Sequence, residues 1–195
     1  MGMGQPQTIY YTADMVRALN AAVPEHTWRR YETVHGELLV TRSAPSPYHQ
    51  RIVARLVVRI ANYLQGEPVG EVYSSPSEIS WGLDDVLVQP DVFVIPMDVA
   101  RTLGADSPWD VVRHLLLVAE VLSPSTKRFD RFPKRRLYQE RTVPLYWIID
   151  ADERSVDVWT PGDTFPRVER ERLVWHPEGT HDPLVIELAE LFAEP

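Results

Sequence analysis

The chain has 195 residues with 28 acidic and 20 basic side chains, a net charge of −8, and 44% hydrophobic and 10% aromatic content. That composition argues against disorder and provides material for a sizeable core. The absence of cysteine excludes disulfides, thiolate metal sites and cysteine nucleophiles, and the acidic total confines any nucleic-acid contact to a local basic patch. No apolar run approaches the roughly 18 residues of a membrane span, and residues 1–6 lack a charged-then-apolar leader, so the expectation is a soluble cytoplasmic protein with one domain over 1–195.

Thr12 is placed to cap a helix running to about residue 22. Residues 28–34 and 37–42 read as two strands around His35-Gly36, where glycine supplies the positive φ of a tight hairpin turn. Ser46-Pro47 is a cap followed by proline at the first helical position. The helix it opens carries Ile52, Val53, Leu56, Val57, Ile60 and Leu64 as an apolar stripe and ends near Gly66. Short β-type runs follow at 70–73, 78–81, 86–88 and 91–95, then a surface connection over 101–110. Residues 114–122 are almost wholly apolar and read as a buried central strand. A polar turn over 123–130 leads into a helix at 133–141. Strands at 144–150, 155–160 and 172–175 complete the sheet, and 184–192 closes the chain with a strand and helical cap. The fold class is mixed α/β (α+β), with one central sheet flanked by helices and preceded by an N-terminal helix and hairpin.

No phosphate-binding glycine loop, GxSxG elbow or HExxH motif is present, and the glycines at positions 2 and 4 have no strand before them. The chemistry-bearing signal is charge inside apolar strands. Glu120 interrupts Leu115-Leu116-Leu117-Val118-Ala119-Glu120-Val121-Leu122, and alternation puts it on a face with Leu116, Val118 and Leu122. A carboxylate there is costly unless a cation or donor meets it, and pairing with an arginine or capping of the next turn is the bland alternative. Asp91 lies in a second apolar run directly after Pro90, which cannot donate to a sheet and so bends the strand. Two carboxylates ending two buried strands suit a hard cation such as Mg²⁺.

Asp130, Lys134 and Tyr138 are spaced i, i+4, i+8 along the helix after the Glu120 strand, where a solvated salt bridge is the ordinary reading. Eighteen of the 20 basic residues are arginine, which makes Lys134 more informative, since a compact ammonium differs in use from a guanidinium fork. Lys127, Arg128, Arg131 and Arg135 gather in the same segment as a candidate nucleic-acid-binding patch. Arg51, Arg55 and Arg59 form a second stripe that reads as a solvated helix face.

The block Glu120-Val121-Leu122-Ser123-Pro124-Ser125-Thr126, followed by Asp130, Lys134, Tyr138 and Val143-Pro144-Leu145-Tyr146-Trp147-Ile148-Ile149-Asp150, resembles the signature of the Uma-two family of proposed endonucleases. Upstream, Tyr31-Glu32, Gly36-Glu37-Leu38, Ser46-Pro47 with His49, and Gln89-Pro90-Asp91-Val92 resemble its pattern in the same order. The resemblance implies a PD-(D/E)XK, restriction-endonuclease-like mixed sheet flanked by helices. It also implies Asp91 and Glu120 as catalytic carboxylates holding Mg²⁺ or Mn²⁺, with the Leu122 carbonyl as a further ligand. The superfamily's lysine two places after the glutamate is replaced here by Leu122, and the resemblance implies that Lys134 supplies the ammonium from the next helix, assisting water or phosphate. Asp130 and Tyr138 become its supports, and Glu37 and His49 accessory residues. The reading is a metal-dependent endonuclease acting on nucleic acid, DNA being favoured, in the form of a homodimer. The alternative is a nuclease-fold module that binds nucleic acid or a protein partner without catalysis. A carboxylate-pair glycosidase is a weaker third.

Overall fold

The computed structural model describes residues 9–42 and 44–194; the leader and glycine readings made for residues 1–6 lie outside them. Helix α1 (Ala13–Ala21) is capped by Thr12, whose hydroxyl accepts from the Met15 amide. Strands β1 (Arg30–Val34) and β2 (Glu37–Thr41) form the hairpin, with His35 and Gly36 both at positive φ, 51° and 76°. Both central residues of a tight hairpin turn must be left-handed to match the strand twist, and glycine supplies the second without strain.

Helix α2 (Pro47–Gly66) starts at Ser46, whose hydroxyl accepts from the His49 amide. It buries Ile52, Leu56, Ile60 and Leu64, one residue per turn. The stripe seals one face of a six-stranded sheet of order β3-β4-β5-β6-β7-β8. These strands are β3 (Gly70–Ser74), β4 (Val92–Pro96), β5 (Leu117–Val121), β6 (Tyr146–Asp150), β7 (Ser155–Trp159) and β8 (Arg167–Glu169). All neighbours are antiparallel except β5 and β6. A parallel pair requires a crossover connection. Here it consists of helix α4 (Lys127–Phe129), a π-helical turn over Asp130–Lys134 and helix α5 (Arg135–Glu140). The two short helices α3 (Met97–Ala100) and α6 (Leu188–Leu191) complete the set.

Several elements differ from expectation. The runs at 78–81 and 86–88 contribute only isolated bridges, Ile79–Val88 and Thr33–Leu87. The strand expected at 172–175 does not join the central sheet; β9 (Arg172–Trp175) pairs with β10 (Leu184–Glu187) in a separate hairpin that packs with α2. β8 went unread because it is short and largely exposed. Pro133 sits inside the helical crossover, within the widened π-turn, where its missing amide donor removes one backbone bond. Arg55 donates to the carbonyls of Leu191 and Ala193, and Arg59 pairs with Glu190, so this arginine stripe fastens the C-terminal helix. Among the described residues no helix is long and apolar enough to cross a membrane.

Candidate functional site

The strand positions of β5 sort its side chains. Leu117, Ala119 and Val121 face α2, while Val118 and Glu120 face the crossover; Leu116, ahead of the strand, packs on the α2 side instead of sharing the Glu120 face. Asp91 lies immediately before β4, beside the end of β5. Its amide reaches Glu120 Oε2 at 3.3 Å, and its Oδ2 accepts from the Val121 amide at 2.9 Å. His49, in the first turn of α2, places Nε2 3.1 Å from the same Oδ2. A bend at Pro90, a helix N-terminus and the end of a central strand thus converge on two carboxylates.

Beneath them is a buried network. Lys134 Nζ lies 3.0 Å from Glu120 Oε1, 3.0 Å from Glu32 Oε1 and 3.5 Å from Asp130 Oδ1. Tyr138 donates to Glu120 Oε1 at 3.0 Å, and Tyr146 donates to the Asp130 carbonyl at 3.0 Å. Glu32 also accepts from the Gln89 amide at 2.7 Å and lies 3.5 Å from Arg30 Nε. The helical crossover thus places Lys134 and Tyr138, from one helix face, on the same carboxylate. Tyr138 supports Glu120 directly, however, not Lys134.

The electrostatics follow from a mismatch in number. Four buried carboxylates (Glu32, Asp91, Glu120 and Asp130) share two fixed cations, Arg30 and Lys134. Burial and the three neighbouring acids push Glu120 up to about 8 against the pull of Lys134. Burial likewise lifts Asp130 to about 6. Burial opposes ionisation of Asp91 too, yet the hydrogen bond and charge of His49, with Arg30 and the Val121 amide, hold it below the usual carboxylate range. Glu32 is held down in the same way by Lys134 and Arg30, against its burial. Burial disfavours the Lys134 ammonium, but the carboxylates around it outweigh that and keep it charged.

Above the network opens a cleft of about 400 Å³, walled by Trp28, Arg29 and Arg30, by His49 and Gln50, by Ser75 and Pro76, and floored by Asp91, Glu120 and Val121. Three expected residues are not part of the cleft lining. Lys134 is 1% exposed and lies below Glu120, outside the cleft lining. Val121, not Leu122, borders the cleft; the Leu122 amide donates to the Ile149 carbonyl and its side chain packs into the core on the crossover side. Glu37 is exposed at the start of β2, in a separate depression with Arg128, Phe132 and Arg136. The acid that enters the site is Glu32, one alternation upstream of the turn, and the signal for it was a lone carboxylate between Tyr31 and Thr33 in a strand.

The basic segment is also not at the cleft. Lys127 and Arg131 turn to Asp150, at 3.4 and 2.9 Å, neutralising a carboxylate at the end of β6. Arg135 lies over the Trp159 ring, 4.7 Å from its centroid, and donates to Gln139. The cations that do line the cleft are Arg29 and Arg30, which sequence reading passed over.

A hard divalent cation fits the donors present. Asp91 and Glu120 both face the cleft, and Glu120 Oε2 is held only by a long amide contact. A cation there would relieve the burial and crowding of acids that raise Glu120. Among the described residues no cluster of three or more His, Cys, Asp or Glu is gathered for a metal. Two carboxylates completed by water and substrate oxygens is the usual Mg²⁺ arrangement.

Among proteins of curated function none matches this chain. It is similar in fold to the crystal structure of "a putative nuclease belonging to DUF820 from Anabaena variabilis ATCC 29413", with a TM-score of 0.68 and 19% identity over 91% of this chain and 96% of that one. A family model described as "Putative restriction endonuclease" matches residues 16–189, which hold the whole network from Glu32 to Tyr146 and the cleft above it; the chain belongs to that family, Uma2.

Proposed function

We propose that the protein is a divalent-metal-dependent endonuclease of the PD-(D/E)XK kind, hydrolysing phosphodiester bonds of nucleic acid, DNA being favoured, within one domain over 1–195. The observation that carries this reading is the convergence of Asp91 and Glu120 on the floor of a cleft, over a buried network rich in carboxylates. Asp91 and Glu120 would hold Mg²⁺ or Mn²⁺, which when bound supplies a Lewis acid for the phosphate and a more acidic water.

The remaining work falls to the chain itself. Lys134 and Tyr138 both hold Glu120 Oε1, which fixes the carboxylate and leaves Oε2 toward the cleft. Lys134 is thus a positioning residue that acts through Glu120, and Glu32 and Asp130 hold it in turn. His49 and the Val121 amide orient Asp91 in the same manner. Hydrolysis needs compensation for charge gathering on the phosphate oxygens, and Arg30, which lines the cleft beside Glu32, is the cation we assign to it.

The test is calorimetric titration of Mn²⁺ into wild type, Asp91→Ala and Glu120→Ala, followed by cleavage of supercoiled and single-stranded DNA with and without metal. Binding by wild type that both substitutions abolish, with metal-dependent nicking lost in the same variants, is the expected result. Folded wild type that binds no metal and cuts no nucleic acid would overturn it. The burial of Lys134 away from the cleft would then favour the reading as a binding module.

A further inference from the structure

Trp28, Arg30 and Glu32 alternate along the chain entering and forming β1, and they reach successively deeper toward the site. Trp28 lies at the cleft and is 41% exposed, the kind of half-open indole that a buried core does not need. Arg30 lines the same cleft with its side chain only 15% exposed. Its contacts are long, 3.5 Å to Glu32 Oε2 and 3.5 Å to the Ser75 hydroxyl, and its buried Nε has no hydrogen-bond partner among the described residues. Glu32 is buried and holds Lys134 beneath Glu120. One strand edge therefore carries an aromatic plane, a guanidinium held only by long contacts among the described residues and an anchor for the proposed metal-binding carboxylate.

We propose that this cleft takes a single, unpaired nucleic-acid strand, with Arg30 donating to a backbone phosphate and Trp28 stacking on a neighbouring base. The proposal rests on reading the cleft as a nucleic-acid site and adds the class of substrate. The cleft, of about 400 Å³, has room for a short piece of one strand. Stacking on an aromatic side chain requires a base with a free face, which an unpaired strand offers at every position and a duplex interior does not. The bases need no particular identity for this, and with Arg29 and Arg30 as the cations lining the cleft, the contact would be dominated by backbone charge.

The experiment uses the full chain carrying Asp91→Asn, with chelator present, so that binding is read without hydrolysis. Fluorescence anisotropy measures a labelled oligodeoxynucleotide of about 12 residues as single strand and as duplex, with an oligoribonucleotide of the same sequence to distinguish the sugar. We expect the single strand to bind at least about tenfold more tightly than the duplex. Adding Trp28→Ala should weaken single-strand binding about tenfold, within the range reported for loss of one stacked base, and Trp28→Phe should restore most of it. Arg30→Gln should lower the slope of log K against log salt by about 0.7, the value for one phosphate contact on a single strand. Duplex binding as tight as single-strand binding, or no effect of Trp28→Ala, an exposed position whose loss the fold tolerates, would overturn the proposal. Either outcome is separate from cleavage. A protein that binds single strands through Trp28 but cuts nothing with metal loses the nuclease reading and keeps this one.

Discussion

On the α2 side of the central sheet, Leu117, Ala119 and Val121 meet Ile52, Leu56, Ile60 and Leu64 with no buried charge between them. On the other side the same strand presents Glu120 to Lys134, Tyr138 and, through the lysine, to Glu32 and Asp130. The first face gains stability from each side chain it covers, about 1.5–3 kcal/mol for a fully buried leucine or isoleucine. The second spends part of that gain on holding carboxylates in place. A floor of buried charge under a cleft is possible here because a continuous apolar face lies across one sheet thickness from it.

The largest expected effect comes from removing the one group that three buried acids share. Lys134→Ala leaves Glu32, Glu120 and Asp130 without their ammonium, and breaking a buried pair in this way costs about 3–5 kcal/mol. Leu56→Ala on the opposite face is expected to cost about 2–5 kcal/mol through lost burial and a cavity. Urea denaturation will give losses of similar size, whereas Mn²⁺ titration should separate them: Leu56→Ala retains the wild-type affinity and Lys134→Ala loses it. Equal metal affinity in both variants would break the contrast between the faces.

A smaller effect is pH-dependent. Glu120 has a folded-state value of about 8 against an ordinary 4.5, so the metal-free folded protein binds a proton there that the unfolded chain has released. Its contribution to stability is complete below pH 4.5 and is lost as pH rises toward 8. Glu120→Gln keeps an acceptor for Lys134 and Tyr138 without the titration. Metal-free wild type should therefore lose stability between pH 5 and pH 8, by on the order of a few kcal/mol, and Glu120→Gln should lose distinctly less. Parallel curves for the two proteins, measured by urea midpoints across that range, would show that the burial of Glu120 is not felt as a proton affinity.

The apolar face was the legible one. The period of Ile52, Leu56, Ile60 and Leu64, the Ser46 cap and the almost wholly apolar run around Val118 give α2 and β5 directly, because local pattern and tertiary role agree there. Asp91 and Glu120 were legible for the opposite reason, as charges in strands that had no local use for them. Glu32 belongs to the residues that resemble the family pattern but carries no legible role, since a single glutamate in a hairpin strand is ordinary until the crossover brings Lys134 to it. The pairings of the basic run at 127–136 are not visible in its own density: Asp150 and Trp159, which engage Lys127, Arg131 and Arg135, are distant in sequence. Charge density along the chain reports a face only when no partner arrives from another element.

Two glutamates of one hairpin sharpen the same lesson with the smallest effects. Glu32 is buried on β1 with an amide and an ammonium on its Oε1, and Glu37 is exposed at the start of β2. Glu32→Gln removes the charge that faces Lys134 and Arg30 while keeping an oxygen for the Gln89 amide, so its cost should be about 1–3 kcal/mol, typical of a hydrogen bond to a charged group. Glu37→Gln touches no buried partner and should change the unfolding free energy by no more than about 0.5 kcal/mol. If Lys134 acts through Glu120, the first substitution also weakens Mn²⁺ binding, because an ammonium with one anchor fewer holds Glu120 less firmly and the site loses a nearby negative charge. Calorimetry on the two variants side by side therefore tests whether the lysine's other partners set the metal affinity. Equal affinity in Glu32→Gln and Glu37→Gln would reduce Glu32 to a structural ion pair.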